Sequence, residues 1–273
     1  MELTPEIRTY YEQAPEQQRL RTGPSQLEFE RTKQLLAERL PKPPAIVLDV
    51  GGGPGAYALW LSELGYEVHL IDPVAHLVAQ AEQQSEKATH QIKSCSVGDA
   101  RELNWESDSA GVILEFGPLY HLIHENDRLQ ALREASRVLV PGGCVFVAGI
   151  SRFASALDGL CRNLFADEAF GSIVRNDLKE GVHRNETGRL EYFTTAKFHR
   201  PEELKGELIG AGFLDVEVLG IEGPGWMLPD FEERWNDPRR RRDLLAVARA
   251  LELEPAAQGV SAHLMAVGRK AWR

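Results

Sequence analysis

The sequence predicts an α/β fold, a mostly parallel sheet between layers of helices, with helical insertions after its fifth strand. Three observations predict it. Short apolar, β-branched runs alternate with helix-period segments between about residues 45 and 150, the spacing of right-handed βαβ units. A glycine cluster, Gly51-Gly52-Gly53-Pro54-Gly55, stands where the first apolar run gives way to a helix. The composition, 43% hydrophobic and 26% charged over 273 residues, belongs to a chain able to bury a core and offset its ordering entropy.

The elements follow in order. The first forty residues read as helix, with Leu27, Phe29, Leu35, Leu36 and Leu40 near helical spacing, until Pro41, Pro43 and Pro44 stop it. Residues 45–50 form a first strand and residues 56–64 a helix ended by Gly65. Strands are expected at 66–71, 91–97 and 110–116, with a helix over 76–86. Asn126 or Asp127 caps a helix running to Val138, Pro141-Gly142-Gly143 turns, and residues 144–150 make a fifth strand. Residues 151–195 break the rhythm and read as a helical cap without a strong strand. Residues 201–211 return as helix, 213–219 as a sixth strand, and 262–268 as a seventh, with an insertion over 223–258. The expected organisation is an N-terminal helical lid (1–44), a core (45–150), a cap (151–200) and a C-terminal part of the core (201–273).

Composition excludes several functions. The net charge is −10, whereas nucleic acids and anionic membranes are bound by clustered positive charge. The imbalance is uneven, −8 over residues 1–150 and −2 over 151–273. Arg239-Arg240-Arg241-Arg242 has Glu232, Glu233, Asp237 and Asp243 beside it and reads as a solvated helix start. Cys95, Cys144 and Cys161 are odd in number and lack CxxC spacing, so neither a disulfide framework nor a metal site is expected. The polar N-terminus lacks a signal-peptide core, and no run approaches the roughly 18 apolar residues of a membrane span. The expected location is the cytoplasm, with no membrane partner.

The glycine loop is where chemistry begins. Glycines admit a ligand close to the backbone, and a helix N-terminus offers unpaired N–H groups. Gly51-x-Gly53-x-x-Ala56 also fits a dinucleotide fingerprint. Asp72, 19 positions after Gly53, suits ribose hydroxyls in either case. Asp49 separates the readings: a carboxylate there disfavours a pyrophosphate and favours a cationic ligand bearing an amino group.

The segment from Val47 through Gly55 resembles the first motif of the class I S-adenosylmethionine-dependent methyltransferases, with their DxGxGxG pattern. Asp72, Gly98-Asp99-Ala100, the run Leu114-Glu115-Phe116-Gly117-Pro118-Leu119-Tyr120-His121, and Arg137 through Gly143 resemble further motifs of that family in the right order. The resemblance covers about residues 45–150. It implies a Rossmann-like three-layer sandwich with a seven-stranded, mostly parallel sheet and an antiparallel last strand. It also implies S-adenosyl-L-methionine as cofactor, with S-adenosyl-L-homocysteine as product. Asp49, Gly51, Gly52, Gly53 and Gly55 are then expected at the methionine end, Asp72 and Pro73 at ribose, Asp99 and Ala100 at adenine, and Glu115 and Tyr11 against the cofactor.

The expected reaction is methyl transfer to O or N of a small acceptor. Acceptors that lose a proton need a base. His121, just past the fourth strand, is the candidate, since histidine titrates near neutrality. Tyr10, Tyr120, His121, Arg152, His183, Tyr192, His199 and Trp226 are the expected acceptor contacts, and no metal is expected. His69 and His263 are read as structural. Phe116-Gly117-Pro118-Leu119 replaces the Asn-Pro-Pro-Tyr type tetrapeptide of base amine methylation, so a nucleic-acid acceptor is not expected. The competing readings are a non-catalytic binder of the same cofactor and a nicotinamide-dependent oxidoreductase.

Overall fold

The computed structural model describes residues 4–13 and 16–272. The chain opens with three helices, α1 (Pro5–Gln13), α2 (Glu16–Arg19) and α3 (Ser25–Arg39). Then come β1 (Ile46–Val50), α4 (Ala56–Glu63), β2 (Glu67–Asp72), α5 (Ala75–Ser85), β3 (Ser94–Val97) and β4 (Ala110–Glu115). Next are α6 (Pro118–His121), α7 (Glu125–Val138), β5 (Leu139–Ser151), α8 (Ala154–Cys161), α9 (Glu168–Glu180), β6 (Val182–His183) and β7 (Ala196–His199). The chain finishes with α10 (Pro201–Gly210), β8 (Leu214–Gly220), α11 (Phe231–Asn236), α12 (Pro238–Leu251) and β9 (His263–Arg269).

The sheet runs β3-β2-β1-β4-β5, all parallel, and continues through β9 and β8, both pairings antiparallel. Apolar residues cover both faces. On one, Ala131, Leu132 and Ala135 of α7 and Leu204 and Leu208 of α10 pack on Leu48, Ile113 and Val145. On the other, Leu35, Leu36, Ala58, Leu61, Val78 and Ala81 pack on Val47, Leu70 and Phe146. Burial of these side chains, roughly 1.5–3 kcal/mol for each large one, fixes the three-layer sandwich. Among the described residues no helix is long and apolar enough to cross a membrane.

The sheet has nine strands where seven are expected. The two additions, β6 and β7, belong to the cap. Ile150 and Ser151 pair with His263 and its neighbourhood on one edge and with Phe198 and His199 on the other. β4 ends at Glu115, opposite Val147, so the edge of β5 beyond it is free for β7. The cap is thus laced into the sheet at the carboxyl end of the parallel strands, where open α/β sheets bind ligands.

Smaller departures have local causes. The leading helix is three helices. The expected turn Pro141-Gly142-Gly143 is a bulge inside β5: Leu139 pairs with Ala110, and pairing resumes only at Cys144 with Val112. Reciprocal backbone bonds between residues 142–143 and Lys270, at 3.1 and 2.9 Å, hold it. Helix α7 starts at Glu125 with His124 as its N-cap, ahead of the expected Asn126 or Asp127. Arg128 donates to the Leu122 and Ile123 carbonyls at 2.8 Å and fixes the entering chain one turn earlier.

Candidate functional site

A cavity of about 430 Å³ lies over the carboxyl ends of β1, β2, β3 and β4. Its floor is the glycine loop. Gly51 has φ +75° and its N–H donates to the Ile71 carbonyl at 2.7 Å, and a Cβ there would sit 2.5 Å from Pro118. A Cβ on Gly52 would come within 2.8 Å of Asp49. Side chains are therefore excluded on both flanks, and the loop backbone itself forms the cavity surface.

Asp49 lines the cavity beneath this loop. It is fully buried, and among the described residues no hydrogen bond of good geometry reaches either carboxylate oxygen, the Ala58 amide at the start of α4 being its one weak contact. Burial and then the neighbouring Asp72 push its acidity constant up to about 7, with the Ala58 amide acting the other way. A buried carboxylate without a partner is costly, and a cationic ligand relieves the cost. Asp72, at the end of β2, accepts from the Gly53 amide at 2.9 Å and the Val74 amide at 2.8 Å. Burial still holds it at about 6, because these amides offset only part of the desolvation. Pro73, Asp99 and Ala100 extend the wall. Asp99 is gripped by Arg101, whose Nε and backbone N–H both donate to Oδ1 at 2.9 Å, and that overcomes burial and lowers the carboxyl.

The far end of the cavity is aromatic. Tyr120 and His121 come from α6, Phe116 from the end of β4, Tyr11 from α1 and Phe193 from the cap. His121 Nδ1 lies 3.3 Å from the Thr195 carbonyl, which can only accept, so Nδ1 carries the proton. Nε2 is then the lone-pair nitrogen, and the Tyr11 hydroxyl donates to it at 2.6 Å. Burial lowers His121 to about 4, so the ring is neutral at physiological pH. Burial likewise raises Tyr11 well above the ordinary phenol range. His76 Nε2 donates to the Tyr11 carbonyl at 3.1 Å and ties α1 to α5.

Several expected site residues lie elsewhere. Gly55 packs behind the loop, toward Ala81 and Ile92. Glu115 is fully buried under the sheet edge with neither oxygen partnered among the described residues, and burial raises it to about 8. Tyr10 packs edge-on against Tyr11 and Phe193, one layer outside the wall. The cap residues are consumed by their own partners. Arg152 holds Glu203 at 2.7 Å and the Phe198 carbonyl at 3.1 Å. His183 sits between Asp177 at 2.9 Å and the Tyr192 carbonyl at 2.7 Å. The Tyr192 hydroxyl meets Asp167, and His199 meets Glu207. Trp226 Nε1 donates to the Val260 carbonyl and lines a different cavity. These side chains find partners within the cap or C-terminal layer, with only His199 Nδ1 left unpartnered among their buried polar atoms in the described residues, and none of these five reaches the first cavity.

Phe193, Arg19 and His263 are among the wall residues that went unread in the sequence. Phe193 holds φ +67°, a costly conformation for a residue with a Cβ, which carries its ring into the cavity. Arg19 comes from α2. His263, read as structural, reaches the wall because β9 is antiparallel, so its first residue lies at the carboxyl edge of the others. The expected direction of the last strand was the available signal. Glu28, Glu222 and His263 place one metal-ligand-type atom each within 4.8 Å of one another, and Arg19 supplies a cation to that group.

Residues 47–143 match the methyltransferase domain family. This segment is a methyltransferase domain, and the fold is that of the class I S-adenosylmethionine-dependent methyltransferases. It is 29% identical over 119 residues to a human protein named probable tRNA methyltransferase 9B, covering 43% of this chain and 23% of that protein. It is 32% identical over 126 residues to malonyl-[acyl-carrier protein] O-methyltransferase of Pseudescherichia vulneris, covering 44% of this chain and 45% of that protein. The chain therefore spans less than half the length of these curated relatives. In fold it is similar to an S-adenosylmethionine-dependent methyltransferase of Methanosarcina mazei, with TM-score 0.58 and 16% identity over 88% of this chain and 98% of the other. The matched segment spans the glycine loop and β1 to β4 and ends within β5, and the cap, β8, β9 and the α11–α12 insertion lie outside it.

Proposed function

We propose that this protein is an S-adenosylmethionine-dependent methyltransferase acting on O or N of a small acceptor, in the cytoplasm. The observation that carries the reading is Asp49, a fully buried carboxylate with no well-formed hydrogen bond among the described residues, set against a glycine loop with no room for a Cβ at Gly51 or Gly52. A ligand with an ammonium group fits that combination, and a pyrophosphate does not. Asp49 would hold the amino-acid end of the cofactor, Asp72 with Pro73 its ribose, and Asp99 and Ala100 its base. Bound there, S-adenosylmethionine supplies an electrophilic methyl group for in-line displacement.

The chain's own residues then have defined tasks. The aromatic wall excludes water and orients the acceptor. Tyr11 and His121 form a proton relay: the phenol oxygen takes a proton from the acceptor as its own passes to His121 Nε2. A base this weak receives a proton while the acceptor carries the charge arriving with the methyl group. Residues 1–44 act as a lid in this reading, with Tyr11 as the contact that closes it. Of that segment, residues 1–3, 14 and 15 lie outside the described residues.

The relatives' names point to different acceptors, a tRNA and a carrier-bound malonyl group. The charge of −10 weighs against the first. Calorimetry with S-adenosylhomocysteine and NADH, side by side, tests the cofactor; binding of NADH alone overturns the proposal. Labelled cofactor incubated with a fractionated extract, including its tRNA and acyl-carrier fractions, identifies the acceptor class by product mass. Tight cofactor binding without any labelled product identifies a non-catalytic binder instead.

A further inference from the structure

One ion network links the N-terminal helices to the segment just after β8 and to the start of β9. Arg19 of α2 donates to both oxygens of Glu28 on α3, at 2.8 and 3.2 Å, and its Nε lies 3.3 Å from Glu16. His263 Nδ1 donates to Glu222 Oε1 at 2.5 Å, and the backbone N–H of His263 donates to Glu222 Oε2 at 3.1 Å. Glu28 lies 3.8 Å from the same Nδ1. The double contact with Glu222 fixes the ring. Burial opposes its charge, but Glu28 and Glu222 overcome burial and raise it to about 9, with Arg19 acting against them. The ring is an imidazolium at neutral pH.

The network is polarised across a wall. Its cationic members, Arg19 and His263, line the first cavity, while Glu28 and Glu222 line a second cavity on the other side, with His263 shared. Imidazole nitrogens point away from each other across the ring. With Nδ1 committed to Glu222, Nε2–H is directed away from the carboxylates, and it has no partner among the described residues. The Tyr120 hydroxyl, in the same wall, also has none. Glu16 is the one acid of this network that shares the first cavity, and Arg19 engages it.

We propose that His263 is an acceptor-recognition residue, its Nε2–H and the Tyr120 hydroxyl holding an oxyanion of the acceptor, carboxylate or phosphate, at the end of the cavity away from Asp49. A charge-assisted hydrogen bond from a fixed imidazolium is stronger than a neutral one, and Glu222 keeps the donor oriented. The role rests on the methyltransferase reading, since it presumes a small acceptor beside the cofactor.

The test uses the full chain saturated with S-adenosylhomocysteine, so that the cofactor reading is checked first and separately. Benzoate, phenyl phosphate and benzamide are then titrated by NMR, following the His263 ring signals. The expected result is saturable binding of one or both anions with a downfield shift at His263, and at least tenfold weaker binding of benzamide. Preference for benzoate over phenyl phosphate, or the reverse, assigns the oxyanion. His263→Gln is expected to lose at least tenfold in anion affinity while keeping its affinity for S-adenosylhomocysteine. Equal binding of benzamide, no His263 shift, or undiminished anion binding in a folded His263→Gln overturns the proposal. Should that variant fail to fold, the titration of the unaltered protein decides alone.

Discussion

The loops at the ends of β1 to β4 and the cap after β5 both hold histidines, tyrosines and charged residues of the kind that carry chemistry. They use them in opposite ways. At the strand ends, Asp49 is left without a well-formed hydrogen bond and Tyr11 and His121 turn toward each other at the cavity wall. In the cap, Arg152, His183, Tyr192 and His199 are each closed off by Glu203, Asp177, Asp167 and Glu207. Residue type is shared, and what differs is whether the fold supplies an internal partner. A polar side chain left unsatisfied at the cavity wall is available to a ligand, while one that the fold satisfies is cement.

The comparison can be broken by substitution. Asp49→Asn is expected to weaken S-adenosylhomocysteine binding about a hundredfold by calorimetry, the scale of losing one partner of a buried ion pair. Its melting temperature should stay level or rise, because a costly buried carboxylate is removed. Arg152→Ala should do the reverse. It removes a buried guanidinium that binds Glu203 and the Phe198 carbonyl and is expected to cost about 2–3 kcal/mol in denaturant unfolding, with cofactor affinity of the folded protein unchanged. A drop in both quantities for either variant would erase the distinction. Tyr11→Phe keeps the ring and removes the relay proton. It should lower kcat about tenfold and leave cofactor affinity within about twofold, and an unaltered kcat would remove Tyr11 from the proton path.

Two pH measurements sharpen the same contrast. A bound cation favours ionised Asp49, whose free-state value is about 7. Cofactor affinity should therefore be full above pH 8 and weaken by up to about tenfold per unit as pH falls below 7. The Asn variant should lose this dependence. Glu115 has the opposite linkage to stability. Its folded-state value, about 8, lies above that of an unfolded glutamate, so the folded protein holds the extra proton. Its contribution is complete below about pH 4 and is lost as pH rises through 8. Glu115→Gln should flatten that decline, with a gain of about 1 kcal/mol at pH 9 in a thermal melt.

The sequence made the sheet legible because its strands are buried on both faces and so read as β-branched runs, Ile46-Val47-Leu48 and Val112-Ile113-Leu114 among them. β6 and β7 were not legible. Val182-His183 is two residues long, and Ala196-Lys197-Phe198-His199 has no apolar run. The glycine loop and Asp72 were legible because close backbone approach demands glycine and leaves few alternatives. The cap residues misled because their partners are assigned by packing: nothing in the spacing of His199 announces that Glu207, two turns into α10, will meet it. His263 was overlooked for a related reason, since its place depends on the direction of β9 and on Glu222, which lies on the far side of α11 and α12 in the chain.

The pairing of Ser151 with His199 brings together the two ends of everything between them. The cap is thus a closed excursion from one point of the sheet, entered and left at neighbouring backbone positions. Lengthening or shortening such an excursion changes its closure entropy only slowly and leaves the register of β1 to β4 untouched. Residues 152–198 are in this sense an interchangeable part. Grafting a different stretch between these two anchors would re-cut the acceptor end of the cavity, while Asp49, the glycine loop and Asp72 kept their places.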